Sequence, residues 1–242
     1  MTRFASALVP AATMLFAAAV AFTPLAAVSA DKRRPRPGAE LPTFKKCMTA
    51  LPEGFSTGHV NWLDANNDLK PDLLAGGRLF INRSQNGAVA FEDVTAATGL
   101  KNGAAALCVD IDNDGWTDIV TVSGQILHNN HDGSFTDVAK ELGFTPHPKS
   151  MTLAAGDLDG NGFPDILIGM REDWNDGHPK YYPFQCWLND GGRKLREASK
   201  ELGINASTYA RGVLVHDVDG DGRQDIFVAN YRLQANLLWM NK

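Results

Sequence analysis

Four acidic segments recur along this chain, and they limit its fold more than any other feature. DANNDLKPDLLAG begins at Asp64, DIDNDGWTDIVTV at Asp110, DLDGNGFPDILIG at Asp157 and DVDGDGRQDIFVA at Asp217. Their starts lie 46, 47 and 60 residues apart. Self-similarity at such a period marks a chain assembled from one small structural unit used repeatedly. Each segment also sets a physical problem. Carboxylates this close repel by about 1 kcal/mol per pair even in water, and the loop then runs directly into an apolar stretch such as IFVA.

The rest of each repeat reads as strands. One precedes the acidic loop (105–109, 213–216) and a strongly apolar one follows it (119–122, 166–168, 226–229). A third (79–82, 126–129, 186–189) leads through an Asn/Asp/Gly turn to a short fourth ending at Phe91, Phe135 or Leu195. About one helical turn follows, DVTAATGL or DVAKELGF, with Asp at its start and Gly to stop it. The second strand is apolar at nearly every position, so it is covered on both faces. In a repeat array this occurs when each small sheet lies between its neighbours. Four-stranded units of this length stacked in that way are propeller blades, and the expected fold is all-β with about four of them. A β-sandwich gives no reason for the fixed period. Residues 41–55 match the fourth strand and helical turn, and LLWMN after the fourth loop matches the third strand. Together they would complete one blade and close a four-blade ring, protecting its edges. A half-ring completed by a partner is the competing reading.

Numbered from its first Asp, each loop carries oxygen side chains at positions 1, 3, 5 and 9. These are Asp64, Asn66, Asp68 and Asp72; Asp110, Asp112, Asp114 and Asp118; Asp157, Asp159, Asn161 and Asp165; and Asp217, Asp219, Asp221 and Asp225. Side chains at 1, 3 and 5 of a tight loop can converge on one point, with Gly at position 6 permitting the turn. A hard cation needs six to eight oxygens, and Ca²⁺ suits such a cage better than Mg²⁺. Thiolate- or imidazole-binding metals find no ligands in the pattern. The EF-hand is excluded, because position 12 is Ala75, Thr121, Ile168 or Val228 where that motif needs a Glu.

The D-x-D-x-D-G-x-x-D loop entering a strand, followed by L-x-x-N-x-x-G-x-F-x-D-V, resembles the FG-GAP/VCBS-type repeat of integrin α-subunit propellers and cartilage-acidic-protein-like secreted proteins. The resemblance spans residues 41–242 and implies a β-propeller whose loops hold structural Ca²⁺, up to four ions here. It also implies a backbone carbonyl ligand at position 7, which is Lys70, Trp116, Phe163 or Arg223. Two loops depart from the pattern. Leu69 stands where Gly is expected, which makes the first site doubtful, and Asn161 removes one charge from the third.

Residues 1–30 hold one basic residue, a long apolar core and Val28 and Ala30 at the −3 and −1 positions of a cleavage site. They read as a secretory signal, with an uncleaved anchor as the alternative. Residues 31–40 form a basic, Pro-rich leader, and the mature protein is expected to be extracytoplasmic, with no membrane span and no nucleic-acid partner. Cleavage removes Arg3 and leaves 22 basic and 28 acidic residues, a net charge of −6 that four Ca²⁺ would turn to +2. Cys47, Cys108 and Cys186 show no framework spacing, and the last two sit in apolar strands as buried free thiols.

These readings describe a binding or adhesion scaffold whose protein or glycan partner is not named by the sequence, with self-association as a further expectation if the propeller is open. Catalysis is the rival class. There is no H-E-x-x-H or phosphate loop, and His59, His128, His131, His147 and His216 do not recur at matched repeat positions. The insertion MREDWNDGHPKYYPFQ, which lengthens the last spacing, supplies Trp174, His178, Tyr181 and Tyr182 as candidate ligand-binding groups. Through it the chain would alternatively be a propeller-type polysaccharide lyase or hydrolase, or the glycan-binding part of one.

Overall fold

A computed structural model describes residues 59–101, 105–175, 177–232 and 234–242. The expected signal, the leader, the blade-completing segment 41–55 and Cys47 lie outside the described residues. The first blade is an antiparallel sheet in chain order: β1 (Val60–Leu63), β2 (Asp72–Ala75), β3 (Arg78–Asn82) and β4 (Phe91–Asp93). The helical turn α1 (Thr95–Thr98) leads to the second blade, β5 (Ala106–Val109), β6 (Asp118–Thr121), β7 (Ile126–Asn129) and β8 (Phe135–Asp137), and then α2 (Ala139–Leu142).

The third blade begins with β9 (Ser150–Gly156) and β10 (Asp165–Met170). The insertion then contributes a hairpin, β11 (Asp173–Asn175) with β12 (His178–Lys180), and a short strand β13 (Tyr182–Pro183). The blade resumes with β14 (Gln185–Asn189) and β15 (Leu195–Glu197), while β16 (Ser207–Thr208) pairs with β13. The fourth blade has three described strands, β17 (Ala210–His216), β18 (Asp225–Asn230) and β19 (Leu237–Trp239). Four small antiparallel sheets thus form four propeller blades, as the repeat period requires.

The first strands pack in succession, β1 on β5, β5 on β9 and β9 on β17. Between the sheets, one face of each meets the next. Leu74, Leu79 and Ile81 pack on Ile119 and Leu127; Val120 and Ile126 pack on Ile166, Ile168 and Trp187; Ala154, Leu167 and Cys186 pack on Val213, Ile226 and Val228. This explains the second strands: every residue of β2, β6 and β10 is buried. Apolar burial at about 25 cal/mol per Å² makes these junctions the main source of stability. At the junction of the third and fourth blades the backbone approach is so close that a Cβ on Gly169 would lie 2.4 Å from that of Ala210. Burial pushes the Cys108 thiol up to about 12 and raises that of Cys186, so both stay protonated and inert, as free thiols in apolar strands should.

The helical turns follow the expected punctuation. The Asp93 and Asp137 carboxylates accept the Thr95 and Ala139 N–H groups, and Gly99 and Gly143 end the turns at φ of 67° and 78°. In the third blade the equivalent segment before Gly203 is a turn without a helix.

Candidate metal centres

The four loops fold alike because their own carboxylates organise the backbone. The position-1 Asp accepts N–H groups from positions 5 and 6: Asp64 from Asp68 and Leu69, Asp110 from Asp114 and Gly115, Asp157 from Asn161 and Gly162, Asp217 from Asp221 and Gly222, at 2.8–3.1 Å. The position-5 oxygen accepts the position-7 N–H of Lys70, Trp116, Phe163 or Arg223 at 2.8–2.9 Å. Position 6 is left-handed, with φ of 89–90° at Gly115, Gly162 and Gly222, and Leu69 is forced to 64°. A left-handed non-glycine residue costs roughly 1–2 kcal/mol, so the strain expected at Leu69 is present. Position 4 is left-handed as well, at Asn67, Asn113, Gly160 and Gly220. Asn and Gly are the residues that tolerate this conformation best.

Position 9 has a second task. Asp72, Asp118, Asp165 and Asp225 are buried. One oxygen of each accepts the position-2 N–H of Ala65, Ile111, Leu158 or Val218 at 2.8–3.0 Å. The other accepts the N–H of an Asn closing the third strand or just beyond it: Asn82, Asn129, Asn189 or Asn241, at 2.7–2.8 Å. These asparagines also join blades. The side-chain amide of Asn129 donates to the Ala65 carbonyl of the preceding blade, that of Asn189 to Ile111 and that of Asn241 to Leu158, at 2.7–2.9 Å. Each blade therefore grips the acidic loop of the blade before it.

Burial of carboxylates near other carboxylates disfavours their ionised form. Burial pushes Asp118 and Asp165 up to about 6, with Asp112 adding to the effect at the former and Asp159 and Asp157 at the latter, against the lowering by backbone N–H donors. Burial raises Asp110 and Asp72 as well. Asp217 moves the other way, held low by the N–H of Gly222.

The structure brings together oxygen atoms in three of the loops. Ligand atoms of Asp110, Asp112 and Asp114, of Asp157, Asp159 and Asp165, and of Asp217, Asp219 and Asp225 each lie within 4.8 Å of one another. In the second loop Asp112 Oδ1 is buried and accepts no hydrogen bond, a costly condition for a carboxylate oxygen unless a cation meets it. The donor set fits a hard divalent cation. Among the described residues the first loop forms no such cluster, and Lys70 Nζ lies 3.5 Å from Asp68 Oδ2 as an internal cation. The position-5 groups of the other loops differ too. Asn161 turns its amide nitrogen to the Asn189 carbonyl at 2.8 Å, and Asp221 is ion-paired to Arg223.

One expectation needs correction. The second loop is not built of oxygen donors alone, since His131 Nε2 lies 2.6 Å from Asp114 Oδ2 and His128 Nδ1 lies 3.4 Å from Asp118 Oδ1 and 3.5 Å from Asp112 Oδ2. His131 also stacks on Trp116, with ring centroids 4.7 Å apart. The other repeats place Ile81 and Leu188 where the second has His128, so no repeat signal could reveal it.

The insertion does not gather its candidate groups. Trp174 is half-exposed under the Arg232 guanidinium, while Tyr182 packs on His147 and donates its hydroxyl to Asp173. Tyr181 lies by buried Tyr209, and His178 is exposed on β12.

Fold and loops together define a class of protein: a β-propeller whose blades each carry an acidic loop. The family model described as FG-GAP-like repeat matches residues 110–168, from the second loop to the strand after the third. The chain is 25% identical over 180 residues to cartilage acidic protein 1 of Mus musculus and 24% identical to that of Homo sapiens, covering 71% of this chain in each case. It spans only 27% and 26% of those relatives' lengths. A crystal structure of the V. cholerae biofilm matrix protein Bap1 aligns with a TM-score of 0.31 at 16% identity, over 70% of this chain and 34% of that one.

Proposed function

We propose that this chain is an extracytoplasmic, calcium-stabilised propeller module that works as a binding scaffold. The observation that carries the reading is the convergence of three carboxylates in each of the second, third and fourth loops, at positions 1, 3 and 5 in the second and 1, 3 and 9 in the others, with burial and mutual repulsion raising Asp118 and Asp165. Ca²⁺ bound there supplies the positive charge that offsets this repulsion. The chain's own residues do the rest: the position-1 and position-5 oxygens shape the loop, and position 9 ties it to the strands. Such sites are structural in this reading, because each loop is closed by its own side chains. Among the described residues no helix is long and apolar enough to cross a membrane. The scaffold reading is preferred to a carbohydrate-active one because the insertion's groups disperse into packing contacts.

Thermal melting in calcium and in EDTA tests it. At about 10 mM Ca²⁺, and with dissociation constants on the order of 10⁻⁴–10⁻³ M, each site adds about 1.4–2.7 kcal/mol. Three sites then add about 4–8 kcal/mol, or at least about 8 °C for a chain this long. Asp159→Asn should remove about a third of the gain. An unchanged melting temperature in EDTA would sink the reading.

A further inference from the structure

The second loop is accompanied by two imidazoles, His128 on β7 and His131 just after it. His131 Nε2 lies 2.6 Å from Asp114 Oδ2, and His128 Nδ1 lies 3.4 Å from Asp118 Oδ1 and 3.5 Å from Asp112 Oδ2. The rings are neighbours, with centroids 6.2 Å apart. One ligand atom from each of Asp114, His128 and His131 falls within 4.8 Å of the other two, and the same holds for Asp112, Asp118 and His128. Among the described residues no other candidate metal group contains a histidine. His128, His131 and Asp114 are all partly exposed, so an ion from solution can reach them.

The chain holds His131 in this place against its backbone preference. The residue is left-handed at φ of 67°, and its counterpart in the third repeat is Gly191 at 63°. A residue with a Cβ resists that conformation. In exchange the imidazole meets the Asp114 carboxylate and stacks on the Trp116 ring. At the other histidine the counterparts are Ile81 and Leu188, so the blade itself asks for an apolar side chain there.

Oxygen-only cages suit hard cations, whereas imidazole nitrogen suits zinc and its neighbours in the transition series. We propose that Asp114, His128 and His131 form a Zn²⁺ site beside the hard-cation position of the second loop. Two nitrogens and one carboxylate are three ligands, which leaves a fourth tetrahedral position to water. Asp114 belongs to this set and to the set of Asp110 and Asp112, so its carboxylate can serve both ions. The His131–Asp114 contact is closer than two ligands of one ion sit, so binding releases the proton shared there and opens the pair. The competing role for the imidazoles is that of internal cations, as Lys70 is in the first loop. That role needs charge near carboxylates but not the convergence of both rings with Asp114. The site uses nitrogen ligands that the calcium reading leaves out, and it does not depend on that reading.

Isothermal titration of the full chain with Zn²⁺ tests it, in about 10 mM Ca²⁺ so that loops of ordinary extracellular affinity are already filled. One Zn²⁺ should bind per chain. His131→Gly and His128→Leu give the second repeat the residues that the third carries. Each should weaken binding by at least the roughly 10–100-fold that follows loss of a group supporting a metal ligand. Their calcium-dependent melts should match that of the unsubstituted chain, which shows the fold intact. No Zn²⁺ binding in calcium, or binding that either variant leaves unchanged, overturns the inference. The second of these outcomes would put Zn²⁺ in an oxygen cage or on other surface histidines. A calcium gain in melting temperature without Zn²⁺ binding rejects this site alone, and Zn²⁺ binding without a calcium gain rejects the calcium reading alone.

Discussion

Asn189→Ala is the substitution that most directly tests how the blades hold together. The side chain is 1% exposed, and its amide donates to the carbonyls of Ile111 at 2.8 Å and Pro164 at 3.0 Å while its carbonyl oxygen accepts the Gly192 N–H at 2.9 Å. Truncation leaves these three groups without their partner, and each orphaned buried group costs about 1–3 kcal/mol. With some relief from entering water, the loss should be about 4 kcal/mol, or about 8–16 °C. Asn82→Ala is the internal control. Asn82 keeps the bonds to Pro71 and Ser84 and among the described residues reaches no preceding blade, so its loss should be smaller by about 1–3 kcal/mol. Urea melts of both variants isolate the junction. Equal losses, or a loss under about 1 kcal/mol at Asn189, would refute the claim that these asparagines fasten blade to blade.

Two further outcomes follow from the loops. Asp118 and Asp165 have folded-state values raised to about 6 by burial, so without metal their contribution favours the fold below their unfolded value and is lost as pH rises through about 6. Calcium must displace those protons below pH 6. The melting-temperature difference between calcium and EDTA should therefore shrink from pH 7.5 to pH 5, and a difference that grows instead contradicts the assignment of these carboxylates to the sites. Leu69→Gly should raise stability by about 1 kcal/mol, because Gly takes a positive φ without the Cβ penalty. Leu69 is 91% exposed with φ of 64°, so nothing else should be lost, and a lower melting midpoint would refute the strain argument.

The repeat made much of this molecule legible. Unbroken apolar runs in β6 and β10 announced burial on both faces, and the D-x-D-x-D-G spacing placed the turns and their oxygens. Three features escaped for physical reasons. The terminal Asn of the third strand recurs in every copy, but a sequence cannot say which blade's carbonyl an amide will meet. The left-handed position 4 was signalled by Asn67, Asn113, Gly160 and Gly220, a pattern visible only once two residue types are grouped by the conformation they share. His128 and His131 belong to one repeat alone, so periodicity carries no information about them. In the insertion, Tyr182 and Tyr181, read as candidate ligand groups, pack in part against His147 and Tyr209, contacts that belong to the fold and not to the pattern of one repeat.

The asparagine grips all point the same way, and this gives the array a polarity. Asn129 holds the first loop, Asn189 the second and Asn241 the third, while among the described residues no such asparagine reaches the loop from Asp217 to Asp225. In a stacked array stability is a sum over neighbours, and unfolding starts where a neighbour is missing. The fourth loop, which carries four carboxylates as the second does, is thus the one whose order depends most on what the solution supplies. Fraying should begin there and travel backward along the chain, one blade at a time, as each loop loses the hand that held it.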